Sequence, residues 1–361
     1  MTDILFHQIS QFKTIGDVLA IKQLTTGHIN DSYLIEAKSG KYMVQRINHS
    51  VFKNVPQLME NMLLISNHIK NKRTTNNTGF VVPELVNTNS GNCFYTDENG
   101  DFWRMYGFIE GKTYDVVTDP LIAWEGAGAV GLFHALLSDL DVAKLHYTIQ
   151  RFHDMDFRMD NFNAALDKDK SKRSMKCHNE INKLFNFAKE VSLLHDQGKK
   201  GLFPLRVTHN DTKFNNILFD KNQKAIGLID LDTVMPGYLL YDFGDAIRTA
   251  ANTAVEDETD LSAINMNMEI YSAYVQGYLK NAQSFITPAE KDFLALSAKY
   301  MTFIMALRFL TDYLDSDIYY KISHEHHNLQ RARAQIKLIE SMNVHFIQMQ
   351  DIIANGSVGE L

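Results

Sequence analysis

The chain has 361 residues, 45% apolar and 22% charged, which excludes disorder, collagen-like repeats and small disulfide scaffolds and allows two or three packed domains. Thirty-six basic against 43 acidic side chains leave a net charge of −7, which argues against a broad cationic surface for nucleic-acid backbone. The two cysteines, Cys93 and Cys177, lack CxxC or Cys/His spacing, so neither a zinc cluster nor a secreted disulfide framework is expected, and a reducing cytoplasm is the expected compartment. No membrane-spanning or targeting segment is expected either: residues 1–20 are polar and amphipathic, and the apolar stretch from Phe293 to Leu310 is broken by Lys299.

The first hundred or so residues alternate short β-like runs with turn signals. Strands are predicted at Val18 to Leu24, Asp31 to Ala37 and Tyr42 to Ile47, the first two separated by the turn Thr25 to Asn30. A helix fits Val55 to Lys70, opened by Pro56, and a polar loop follows from Asn71 to Thr78. Phe94 to Thr96 and Phe102 to Ile109 flank an Asn99-Gly100 hairpin signal. The sum is five strands with one helix after the third.

Beyond Lys112 the apolar spacing is mostly helical. Helices are predicted at Leu121 to Leu140, Val142 to Phe152, Lys176 to His195, Leu261 to Leu279, Pro288 to Leu314 and His324 to Ile353. Gly126, Gly128 and Gly131 would let another element approach the first of these closely. Asp167 to Ser174 reads as a charged, solvated connector. The expected fold class is α+β, with a β-rich lobe over residues 1–111 and a helical lobe over residues 112–361. All of the net charge falls in the second, because the first holds 10 basic and 10 acidic side chains.

One β-like island, Val207 to Leu231, interrupts the helices and holds the polar residues that look out of place. His209, Asp211 and Asn216 spell HxDxxxxN between two apolar strands, and a further strand, Ala225 to Ile229, ends in Asp230-Leu231-Asp232. Phosphoryl transfer from a nucleotide needs this inventory: a carboxylate for the acceptor hydroxyl, hard oxygen ligands for Mg²⁺ and a cation on the moving phosphate. Asp211 suits the first role, Asn216 and Asp230 the second, Lys213 the third. Asp232 is either a second metal contact or a structural acceptor. His209 is expected to orient the loop, and Asp242 and Asp245 to bind backbone amides or Arg248.

The ordered series of glycine-containing turn, basic residue on the third strand, Glu on the next helix, HxDxxxxN and IxD resembles the protein-kinase-like fold in its aminoglycoside and choline kinase branch. Within it, TTGHINDSY at Thr25 to Tyr33, THNDTKFNNILFD at Thr208 to Asp220, IDLDTVMPG at Ile229 to Gly237, YDFGDAIR at Tyr241 to Arg248 and RFLTDYL at Arg308 to Leu314 are similar to the N-acetylhexosamine 1-kinases. The resemblance implies an ATP- and Mg²⁺-dependent kinase for a small sugar, with no nucleic-acid or membrane partner and the oligomeric state open. It implies that Thr26, Gly27 and His28 cover the phosphates or touch substrate, that Arg46 serves the nucleotide phosphates with Glu60 as its ion-pair partner, and that Tyr106, Gly107 and Phe108 form the adenine hinge. Arg308 and Tyr319 would contact the sugar. Kinases of other small alcohols (amino alcohols, another sugar or an aminoglycoside) and an inactive nucleotide-binding protein of the same fold remain alternatives.

Overall fold

A computed structural model describes residues 2–13, 15–24, 29–76, 78–170 and 172–356. After a short helix, α1 (Thr2–Ser10), come β1 (Val18–Leu24), β2 (Asp31–Ala37) and β3 (Gly40–Ile47), then α2 (Val55–Asn76), β4 (Tyr95–Thr96) and β5 (Phe102–Gly107). The five strands form one antiparallel sheet in the order β1-β2-β3-β5-β4. This is the predicted arrangement of five strands with a helix after the third. The helix runs further than predicted, through the polar stretch to Asn76, where side chains such as Thr75 bond back to the carbonyl four residues earlier.

Strand alternation sends the two faces of the sheet to different cores. Val44, Trp103 and Met105 pack with Leu5, Ile9 and Phe12 of the α1 region. Ile47 instead joins Leu58, Met59, Met62 and Ile65 of α2 in the main core, which continues into the helical part.

The second part contains α3 (Pro120–Leu137), α4 (Met155–Lys168), α5 (His178–Lys199), the short strands β6 (Arg206–Thr208), β7 (Ile217–Phe219), β8 (Ala225–Leu228) and β9 (Met235–Gly237), then α6 (Leu239–Ala250), α7 (Met268–Ala282), α8 (Pro288–Asp292), α9 (Leu294–Leu314) and α10 (His327–Asn355). Small residues set the α3–α7 crossing: a Cβ on Gly277 would stand 2.1 Å from the Trp124 carbonyl oxygen, and one on Gly131 2.6 Å from that of Tyr278. Among the described residues, α3 and α9 are long and apolar enough to cross a membrane, yet 61% and 83% of their apolar windows are buried inside the fold, as core helices are.

The helix expected over Leu261 to Leu279 starts only at Met268, that over Pro288 to Leu314 is broken at Phe293, one expected helix is absent and two helices of this part were not expected. Val142 to Phe152 is a 3-10 turn (Val142–Lys144) followed by irregular chain, capped at its start by Asp141. The helix of this region is α4 instead, where the Asp154 carboxylate caps the Phe157 amide at 2.8 Å. The YDFGDAIR segment, read only as a motif, is the buried helix α6.

Candidate active site

The polar island folds as two antiparallel pairs, β6 with β9 and β7 with β8, and the segments between them carry the candidate residues. The first pairing sets Thr208 opposite Met235, and the second sets Ile217 opposite Leu228. The Ile229 amide donates to the Asn216 carbonyl at 2.9 Å, so Asn216 and the residue before Asp230 are joined. The Thr233 hydroxyl donates to the His209 carbonyl at 2.7 Å, and the His209 ring meets the Ile229 carbonyl at 2.9 Å. His209 thus orients the loop. From the other side, residue 81 pairs with β8, and only glycine fits opposite it: a Cβ on Gly227 would lie 1.9 Å from the Val81 carbonyl oxygen.

Two residues of the island take the left-handed backbone region, Asn210 at φ 63° and Asp230 at φ 62°. Asparagine accepts this conformation well, and the Asn210 amide group holds it by donating to Thr208 Oγ1 and to the Thr233 carbonyl, each at 2.9 Å. Asp230 has no such side-chain anchor among the described residues. Its conformation is fixed by the strand before it and the 3-10 turn after it.

Buried Asp242, on α6, organises the loop from below. Its two carboxylate oxygens accept the amides of His209 and Asn210 at 2.6 Å each, and one also meets His134 Nε2 at 2.8 Å. Asp245, one turn on, pairs with Arg248 at 2.8 Å, and Arg248 also reaches Glu256.

Above this platform Asp211 lies 3.1 Å from Lys213 Nζ and accepts a 2.8 Å bond from Asn216 Nδ2. Burial works to raise its pKa, but the Lys213 ammonium, helped by the Asn216 hydrogen bond, outweighs it and holds the carboxyl below its ordinary value; the Lys213 amine is raised in turn. Asp230 moves the other way, pushed up to about 7 by burial and by the like charges of Asp232 and Asp211. The site thus sets an ionised carboxylate beside a carboxyl that a cation would stabilise.

Three assignments change with the structure. Asp232 is buried with both oxygens held by Arg104, and it also accepts from Asn30 Nδ2 at 2.7 Å, so it acts as a structural acceptor and not as a second metal contact. Arg46 lies on the wrong face of β3. It pairs with Trp103 across the strands, on the α1 side, and bonds Asp31 and Asp101 near solvent. A one-residue step reverses the face. Gln45 is therefore the β3 residue turned inward, and its Oε1 accepts from Arg104 at 2.6 and 2.9 Å. Glu60 does not pair with Arg46; it meets His146 at 2.8 Å, and it is the neighbouring Asn61 that ties α2 to the site through the Val234 carbonyl at 2.9 Å.

The expected hinge, Tyr106 to Phe108, spans the end of β5. The amides of Gly107 and Phe108 are already bonded to the carbonyls of Glu84 and Lys41, at 3.2 and 3.0 Å, so neither is free for a base. Tyr106 does turn inward, on the same face as Arg104, and burial raises its phenol. Thr26, Gly27 and His28 lie outside the described residues.

Arg308 and Tyr319 do come together, with the guanidinium 5.6 Å from the ring centroid, in a cavity of about 220 Å³ also lined by Arg158, Asp312, Asp315 and Tyr320. Phe152 lies behind the two arginines, its carbonyl accepting from Arg158 and its ring under Arg308, and the buried ring of the next residue, His153, lies against the Asn210 backbone of the HxDxxxxN loop and feels the charges of both arginines. Burial first, then those charges, drives His153 well below its usual range and keeps it neutral.

Arg104, Gln45, Arg158 and His153 escaped the sequence reading. The alternation of β5 could have placed Arg104 inward, next to Tyr106. Arg158 required recognising α4. The compact Asp154, Asp156 and His195 group lies elsewhere, its carboxylates already met by Arg151 and Lys199.

The arrangement of a five-stranded sheet, an inward helix and an Asp-Asn-Asp island is that of a protein-kinase-like phosphotransferase. Residues 20–285 match the model of the phosphotransferase enzyme family, and the chain belongs to that family. Solved structures agree on the fold. An aminoglycoside phosphotransferase from Alicyclobacillus acidocaldarius matches with a TM-score of 0.65 at 12% identity, over 97% of this chain and 96% of that one. A spectinomycin phosphotransferase in complex with ADP and spectinomycin matches at 0.57 and 11%, over 92% and 94%. A choline kinase from Cryptosporidium parvum matches at 0.54 and 13%, over 99% and 98%.

Proposed function

We propose that the protein transfers the γ-phosphoryl group of ATP to the anomeric hydroxyl of an N-acetylhexosamine, N-acetylglucosamine or N-acetylgalactosamine, to give the sugar 1-phosphate in the cytoplasm. Asp211 orients the hydroxyl and accepts its proton as the phosphoryl group arrives in line, and Lys213 neutralises phosphate charge. Asn216 and Asp230 fit Mg²⁺: both offer oxygen, and the Asp230 carboxyl, buried and raised to about 7 by its acidic neighbours, gains from a cation. Bound there, Mg²⁺ supplies charge neutralisation for the nucleotide phosphates. The ADP held by the spectinomycin phosphotransferase supports a nucleotide donor.

The observation that carries the choice of acceptor is the cavity lined by Arg158, Arg308 and Tyr319. Its charged groups include Arg158 and Arg308, neither within 4 Å of a carboxylate among the described residues. A cationic acceptor such as choline would be repelled there, whereas the guanidiniums can donate to sugar hydroxyl and acetamido oxygens and the Tyr319 ring can pack on a sugar face. Measuring ATP consumption with the two N-acetylhexosamines, plain hexoses, choline, ethanolamine and spectinomycin tests this. Turnover restricted to the amino alcohols or spectinomycin would refute it.

A further inference from the structure

Arg158 and Arg308 reach the cavity from two packed helices, α4 and α9. The Nε and Nη2 groups of Arg158 both donate to the Phe152 carbonyl, at 3.0 and 2.7 Å, which leaves Nη1 without a bond among the described residues. Among the described residues, the one hydrogen-bond partner of Arg308 is the Met305 sulfur, 3.5 Å from Nη1. Both guanidiniums are held by aromatic faces, Arg158 over Phe157 at 5.3 Å and Arg308 over Phe152 at 4.8 Å. Stacking fixes their positions without cancelling their charge.

Neither carboxylate lining the cavity pairs with these arginines among the described residues, and Lys168 adds a third cation to its wall. Asp312 is spent on the amides of Tyr319 and Tyr320 and on Asn328 Nδ2, at 2.7, 2.9 and 2.9 Å. Asp315 makes no ion pair with either arginine among the described residues. The Tyr320 hydroxyl is buried and has no hydrogen-bond partner among the described residues. The repulsion is visible in Arg158 itself, brought down to about 10 by burial and by Arg308. Two fixed guanidiniums with spare donors, a buried orphan hydroxyl and mutual repulsion form a receptor for an oxyanion.

We propose that the preferred acceptor is a hexosamine bearing an oxyanion, a sulfate ester, phosphate ester or carboxylate, held between Arg158 and Arg308 while its hydroxyl faces Asp211. This rests on the sugar-kinase reading and adds Arg158 as a specificity-determining residue. The test compares kcat/KM for N-acetylglucosamine, its 6-sulfate, its 6-phosphate and the corresponding uronic acid, which separates the sources of the anion. At least one anionic sugar should exceed the neutral parent by about tenfold, the scale of one charge-assisted contact. Arg158→Gln should bring that ratio towards one, and Arg158→Lys should restore part of it. Turnover of the neutral sugar as good as that of every anionic one overturns the proposal and leaves the kinase reading standing. If no sugar is turned over, the kinase reading fails, and calorimetric titration of the 6-sulfate and 6-phosphate decides the anion site. Binding weakened about tenfold by Arg158→Gln upholds it; no binding, or equal binding to both proteins, overturns it.

Discussion

Arg104 of β5 grips both carboxylate oxygens of Asp232, its Nη2 reaching Oδ2 at 3.0 Å, and so fastens the N-terminal sheet to the segment that carries Asp230. Both side chains are almost wholly buried, at 2% and 3% exposure, so each charge depends on the other. Arg104→Met strands a buried carboxylate and should cost about 3–5 kcal/mol in urea unfolding. Pairing it with Asp232→Leu should recover most of that loss, because neither member of the pair is then buried without its partner. A double variant as unstable as the single one would show that the pair contributes more than mutual neutralisation.

Asp242 offers a second test, beneath the loop that carries Asp211. Its carboxylate is the acceptor for two loop amides and a buried histidine, and hydrogen bonds to a charged group are worth about 1.5–3 kcal/mol each. Asp242→Ala should therefore destabilise the protein by about 3 kcal/mol or more and lower kcat more than it raises the KM for ATP. Unchanged kcat in the folded variant would mean that the loop holds its shape without this anchor.

The Asp230 carboxyl gives a pH dependence whose sign is fixed. Raised to about 7 in the fold from an ordinary value near 3.8, it binds a proton in the native state that the unfolded chain releases. Its favourable contribution is complete below about pH 4 and is lost as pH rises through about 7. In Mg²⁺-free buffer the Tm of the wild type should fall between pH 5 and 8 relative to Asp230→Asn, which has no such proton. Parallel Tm profiles for the two proteins would contradict the raised carboxyl.

Asp211→Asn removes the proton acceptor while keeping the shape. Turnover should drop by about 100- to 10,000-fold, the range general bases contribute. ATP affinity, measured by equilibrium binding, should change little. Near-normal turnover would reassign the base.

Much of this was legible in the sequence because period and turn chemistry are local. The strands Val18–Leu24 and Asp31–Ala37 and the hairpin at Asn99-Gly100 followed from alternation and backbone preference, and HxDxxxxN with IxD placed Asp211, Asn216 and Asp230 in one island. What failed was information of longer range. Arg46 and Gln45 are adjacent, and only the packing of Ile47 under α2 and of Val44 under α1 decides which one faces inward. Asp232 could be paired only once β5 was known to lie above it. The helix α4 was missed because its polar face obscured the period, and Arg158 went with it.

The position of the phosphate on the product distinguishes a sugar 1-kinase from the other small-alcohol kinases. Phosphorus NMR of the product formed from ATP, Mg²⁺ and an N-acetylhexosamine should show a new ester coupled to the anomeric proton, absent with Asp211→Asn. An ester on the 6-hydroxyl, or a product formed only from choline, would contradict the proposed sugar 1-kinase activity.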